Sequence, residues 1–161
     1  MNITILSVGK IKEKYFTDAV KEYTKRLSRY CTVRIEEVSD EPVPEKAPEA
    51  IQKQILKTEG ERLMKILDRY PGAYTLALAI DGTACDSIAF SSCISKLQVQ
   101  GYSHLIFIIG GSIGLSQEIL DRANAKISFS RMTFPHQLMR VILLEQIYRA
   151  QRIAHNEPYH K

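Results

Sequence analysis

Short apolar, β-branched runs alternate along this chain with longer stretches in which apolar residues recur at helical spacing. Residues 3–8 (ITILSV), Thr32–Val38, 74–80 (YTLALAI), 105–109 (LIFII) and 126–130 (KISFS) read as strands. Residues 12–29, 49–69, 87–100, 116–123 and 136–154 place apolar side chains three and four positions apart and read as helices. Strand then helix, repeated to the end, predicts an α/β protein with a mostly parallel sheet and helices on both faces. Parallel neighbours need a crossover, and a helix supplies it. Turn chemistry punctuates the pattern at Gly9, at Pro42, Pro44 and Pro48, at Pro71-Gly72, and at Asp81-Gly82, which closes the third strand. At 161 residues the chain reads as one domain, 1–161, able to bury a core without disulfide or metal.

The last helix breaks the amphipathic rule. Leu138, Met139, Val141, Ile142, Leu143, Leu144, Ile147, Tyr148 and Ala150 cover most of its circumference. One side can face the sheet, and the other needs a second apolar partner. A second copy of the chain is the simplest one, so a homodimer is expected.

Hydrophobic residues make up 45% and charged residues 25%, the balance of a soluble globular protein. No run of about 18 apolar residues exists to span a membrane. The N-terminal apolar stretch is too short for a signal-peptide core, so the expectation is a cytoplasmic protein with no membrane partner. Cys31, Cys85 and Cys93 form no C-x-x-C pair, and the histidines show no metal spacing, so neither a disulfide framework nor a metal site is expected. The net charge of +4 is uneven: residues 1–34 carry eight Lys/Arg against three Asp/Glu, residues 126–161 carry six against two, and the middle is acidic. If the two basic ends meet in space, they form a surface for an anionic partner such as nucleic acid.

Ligands of open α/β sheets sit at the carboxyl ends of strands. Gly110, Gly111 and Gly114 end the fourth strand, where backbone can approach a ligand with its amides exposed. Their spacing is neither G-x-G-x-x-G nor a P-loop, so the turn could equally serve tight strand-to-helix geometry. The segment 129–136 (FSRMTFPH) joins the fifth strand to the last helix with small polar and aromatic residues. At the C-terminus, Arg149, Arg152, His155, Tyr159 and His160 gather cationic and aromatic side chains suited to phosphate pairing and base stacking.

ITILSVGKIKEKY at the start, FIIGGSIGL in the middle, and FSRMTFPHQLMRVILLEQIYRA with PYHK at the end resemble one family over the whole chain in order. It is the ribosomal RNA large subunit methyltransferase H family, minimal members of the SPOUT methyltransferases. The resemblance implies an α/β sheet with a C-terminal trefoil knot and a homodimer binding S-adenosylmethionine. It implies methylation at N3 of a pseudouridine in a stem-loop of 23S ribosomal RNA, in the large subunit or assembled ribosome. It implies cofactor contacts at Leu78, Gly110, Phe129, Ser130, Arg131, Met132, Thr133 and Phe134. Arg149, Tyr159 and His160 match its RNA-side residues. Histidine is the side-chain type suited to accepting the N3 proton, Tyr159 to stacking on the base, and Arg149 to holding a phosphate or developing oxyanion. Residues 39–60 and 83–100 carry nothing over. A nicotinamide-dependent oxidoreductase lacks its fingerprint here. A ribosome-binding protein that lost its chemistry would be distinguished by activity.

Overall fold

The computed structural model describes residues Met1–Lys161. The elements are β1 (Asn2–Val8), α1 (Lys14–Leu27), β2 (Thr32–Val38), α2 (Glu49–Leu67), β3 (Tyr74–Ala84), α3 (Ser87–Val99), β4 (His104–Ile109), α4 (Gln117–Arg122), β5 (Ala125–Ser128) and α5 (His136–Ala154). The strands lie in the order β2-β1-β4-β3-β5. Every neighbouring pair is parallel. Ile3, Ile5, Leu105, Ile106 and Phe107 in the central strands are fully buried, as a sheet covered on both faces requires.

The path alternates direction across the sheet. Steps from β1 to β2 and from β3 to β4 run one way through α1 and α3; steps from β2 to β3 and from β4 to β5 run the other way through α2 and α4. Right-handed crossovers put helices of opposite steps on opposite faces. Two apolar cores result. One contains Val20 and Leu27 of α1, Phe90 and Ile94 of α3, and Leu143, Leu144 and Ile147 of α5. The other contains Leu63 and Leu67 of α2 and Ile119 of α4.

Two strand ends differ from the sequence reading. Asp81-Gly82 does not close β3, which continues to Ala84. β5 pairs with it twice, Leu76–Leu78 first and Thr83–Ala84 again, with a bulge between. A Cβ on Gly82 would sit 2.7 Å from the Ile127 carbonyl carbon, so glycine here permits strand contact rather than a turn. β5 stops at Ser128, not at 130. The Ser128 hydroxyl donates to the Ser130 carbonyl at 3.0 Å, and the Met132 amide donates to Ser130 Oγ at 2.9 Å. These local bonds replace the ladder.

The chain then crosses from the β5 edge back to β1, where His136 opens α5 against Gly9. α5 packs between α1 and α3. Arg140, Leu143, Leu144, Ile147, Ala150 and Gln151 face inward. The half-buried Leu138, Ile142, Glu145 and Arg149 recur four, three and four positions apart and form the opposite, outward stripe.

Candidate functional site

A cleft of about 820 Å³ opens at the carboxyl ends of β3, β4 and β5. Three segments wall it: Leu78 to Asp81, Ile109 to Leu115, and the crossing segment from Phe129 to His136 without Arg131. Glycine shapes the middle segment. A Cβ on Gly110 would lie 2.5 Å from the Gly114 carbonyl group, and Gly114 itself has φ of +89°. Only glycine permits that tight closure. A Cβ on Gly111 would lie 3.1 Å from both Val8 Cγ1 and Glu59 Oε2.

The walls combine apolar surface with unspent hydrogen-bonding capacity. Leu78, Ile109, Ile127, Phe129 and Met139 supply the first. The backbone amides of Gly110, Ser112, Ile113, Phe129, Thr133 and Phe134 donate to no acceptor in the protein. Apolar walls with a few convergent backbone donors suit a ligand with a flat apolar ring and polar edges, which is the chemistry of an adenosyl group. The residues present therefore fit the cofactor that the sequence resemblance implies.

Of the residues proposed for the cofactor, Leu78, Gly110, Phe129, Ser130, Met132, Thr133 and Phe134 line this cleft. Arg131 does not. It lines an adjoining cleft of about 400 Å³ with Asp81, Asp86 and Cys85.

Arg149, Tyr159 and His160 come together, but elsewhere. The Arg149 guanidinium lies 4.7 Å over the Tyr159 ring. Its Nη1 is 3.5 Å from His160 Nδ1, and its Nη2 donates to Glu145 Oε1 at 2.6 Å. The Tyr159 hydroxyl donates to the same oxygen at 3.2 Å. Burial, and then the Glu145 charge, raise the Tyr159 pKa above 10, so the phenol stays protonated. The tail is also held upstream: Glu157 accepts from the Tyr30 hydroxyl, pairs with Arg152 at 2.7 Å and lies 3.8 Å from Arg29. None of these three residues lines the cleft. His136 and Arg149 are thirteen positions apart on α5, which separates them by about 20 Å.

The two basic ends meet. α1 packs on α5, with Arg26 5.9 Å from the Tyr148 ring centre and Tyr159 5.0 Å from Tyr148. Arg26, Arg29, Arg149 and Arg152 thus share one surface with Tyr30, Tyr148 and Tyr159.

Sequence reasoning missed the acids that organise these parts. Glu145 anchors both Arg149 and Tyr159, and its signal was the i, i+4 spacing to Arg149. Glu59 of α2 is 3% exposed behind the glycine turn; Oε1 accepts the Glu41 amide at 2.9 Å and Oε2 has no protein partner. Nothing in its helical surroundings announced it.

Residues 1–160 match the family model described as "Predicted SPOUT methyltransferase". A protein of Clostridium tetani named "Ribosomal RNA large subunit methyltransferase H" is 53% identical over all of both chains. One of Bifidobacterium animalis subsp. lactis with the same name is 54% identical, again over all of both. A probable methylase family protein from Haemophilus influenzae shares the fold, with a TM-score of 0.55 at 11% identity, covering 99% of this chain and 70% of that one. No helix is long and apolar enough to cross a membrane, and no group of three or more His, Cys, Asp or Glu is placed to hold a metal ion.

Proposed function

Because the chain belongs to the SPOUT methyltransferase family, we propose that it methylates large-subunit (23S) ribosomal RNA in the cytoplasm. The methyl group comes from S-adenosylmethionine and goes to N3 of a pseudouridine in a stem-loop. The carrying observation is the cleft itself, where three strand ends converge with apolar walls and unspent amides. The full-length relatives named for ribosomal RNA methylation support the substrate class. The crossing of residues 129–135 from the sheet edge back to β1 is consistent with the family's trefoil knot.

Leu78, Gly110, Phe129, Ser130, Met132, Thr133 and Phe134 hold the cofactor; Arg131, facing the adjoining cleft, contributes from outside. When bound, S-adenosylmethionine supplies an already electrophilic methyl group. The chain's own work is then to align N3, exclude water and take a proton. Arg149 only donates, so His160 Nδ1 is the lone-pair nitrogen facing it at 3.5 Å, and it becomes free to take a proton when Arg149 turns to a phosphate or oxyanion. His160 is the base, Tyr159 stacks on the target, and Arg149 holds a phosphate or oxyanion.

In one chain that machinery is about 20 Å from the cleft along α5. A homodimer resolves the gap. The outward stripe is apolar at its cleft end (Leu138, Ile142) and charged at its tail end (Glu145, Arg149). Ile80 and Met132 at the cleft, and Ile88 on α3, are further exposed apolar side chains. An antiparallel α5 pair about a two-fold axis sets each tail over the partner's cleft. The joined Arg and Tyr residues of α1, α5 and the tail then form the RNA surface at its mouth.

The test is to incubate the protein with tritiated S-adenosylmethionine and ribosomes lacking the modification, digest the RNA and identify labelled nucleosides. Label in N3-methylpseudouridine of large-subunit RNA is the expected result. Cofactor binding without label refutes the substrate; neither binding nor label refutes the reading as a whole.

A further inference from the structure

The wall of the cleft nearest β1 contains a histidine held by a buried arginine. Arg140 is fully buried, pairs with Glu37 of β2, and donates to the carbonyl of Gly9 at 2.5 Å and that of Val8 at 3.4 Å. One turn earlier on α5, His136 lines the cleft, and its Nδ1 lies 3.4 Å from Arg140 Nη2. A guanidinium only donates, so Nδ1 accepts. The neutral ring therefore carries its proton on Nε2. Nε2 has no partner in the protein and is not a buried atom. The ring edge is seated against Gly9, where a Cβ would come 3.0 Å from Cε1 and where φ is +83°. Burial, and then the Arg140 charge, push the His136 pKa below 6.5 against the opposing charges of Asp40 and Glu37, so the ring is neutral at pH 7.

We propose that His136 is a binding residue of the cleft, presenting one fixed Nε2–H donor to an oxygen acceptor of the bound substrate pair, with Arg140 as its positioning residue. This rests on the methyltransferase reading given above. Two groups offer that chemistry: the carboxylate of the cofactor's methionine part and a carbonyl of the target base. Arg140 does three things at once. It fixes which nitrogen is protonated, it orients the ring, and through Gly9 it ties the β1 end to the cleft wall. An exposed histidine would have none of these constraints.

The experiment compares wild type, His136→Ala and His136→Gln. Glutamine can place an N–H near the Nε2 position without the ring. S-adenosylhomocysteine affinity is measured by calorimetry, single-turnover methylation of unmodified ribosomes at saturating cofactor, and Tm by circular dichroism. For His136→Ala the expected loss is about 10- to 100-fold in one of the first two readouts. Tm should move by no more than about 3 °C, because the half-buried ring makes one protein hydrogen bond. His136→Gln should recover most of the loss, which a purely structural role would not give. Weakened S-adenosylhomocysteine binding assigns the acceptor to the cofactor; unchanged binding with slowed methylation assigns it to the base. His136→Ala within about twofold of wild type in both readouts overturns the proposal, as does a glutamine variant no better than alanine. A wild-type protein that does not bind S-adenosylhomocysteine overturns the methyltransferase reading and this proposal together.

Discussion

Replacing Arg140 by methionine tests the most concentrated polar network in the fold. The side chain is fully exchanged for one of similar length that still fills the core beside Leu143 and Leu144. What disappears is the ion pair to Glu37 and the donors to Gly9, Val8 and His136. Breaking one side of a buried pair typically costs about 3–5 kcal/mol. Two features here reduce that figure. Glu37 retains 28% side-chain exposure and can be rehydrated, and the orphaned Arg140 Nε is removed with the side chain. The expected loss is therefore about 2–4 kcal/mol. With an unfolding entropy of about 2.1 cal/mol/K per residue, a chain of 161 residues has about 340 cal/mol/K, so Tm should fall by about 6–12 °C. Adding Glu37→Gln should return about 1 kcal/mol or more, because the uncompensated charge is then gone. Thermal and urea unfolding followed by circular dichroism read both numbers. A fall below about 2 °C for Arg140→Met, or a double variant no better than the single one, would show that the network does not hold β1, β2 and α5 together as argued.

Gly110→Ala forces a Cβ into the Gly114 carbonyl 2.5 Å away and should weaken S-adenosylhomocysteine binding by about tenfold or more in calorimetry while the fold survives. Glu145→Gln removes the charge that holds Arg149 and Tyr159, so methylation should slow by about tenfold with cofactor affinity unchanged. Leu138→Lys together with Ile142→Lys should yield a monomer by analytical ultracentrifugation that still binds cofactor but no longer methylates. Burial, then the nearby Asp40, raise the Glu59 pKa above 4.5, against the pull of the Glu41 amide. A raised folded value means that stability is present below the unfolded pKa and lost as pH rises through the folded one. Glu59→Gln should therefore be more stable than wild type near about pH 7.5, and its advantage should shrink as pH falls toward 4.5, read as Tm across that range.

The alternation of runs such as 105–109 with helical spacing such as Leu63, Ile66 and Leu67 announced the fold class, because each period is a local property of the chain. Strand order was not local. Nothing in 74–80 or 126–130 says that β5 lies beyond β3 rather than beside β4. Asp81-Gly82 misled because the same dipeptide serves a turn and a bulge, and only the approaching Ile127 backbone distinguishes them. Of the site, the glycine turn and the crossing segment were legible as strand-end loops, and family resemblance named their residues. Arg131 faces an adjoining cleft because the turn held by Ser128 and Ser130 rotates it away from its neighbours. Glu59 and Glu145 escaped because an acid on a helix is ordinarily solvated, and their partners lie on distant segments.

On the proposed function, the length of α5 is the reason such a small chain would need two copies. A nineteen-residue helix carries the cleft residue His136 at one end and the Arg149 cluster at the other. No motion within the domain closes about 20 Å, because the inward face of α5 is locked by Arg140, Leu143, Leu144 and Ile147. The tail cannot swing to its own cleft either, being anchored by Tyr30 and Arg152 to the far end of α1 and α5. If cleft and tail form one site, as proposed, rigidity within the chain and completeness of that site are incompatible in a monomer. Antiparallel pairing through the outward stripe reconciles them without moving any anchored residue. It also predicts mixing behaviour: a heterodimer of a Gly110→Ala subunit and a His160→Ala subunit regains one intact composite site, whereas each parent homodimer has none. Mixed subunits should recover about a quarter of wild-type turnover, half the dimers having one good site of two. Recovery near zero would mean that cleft and tail act within the same chain.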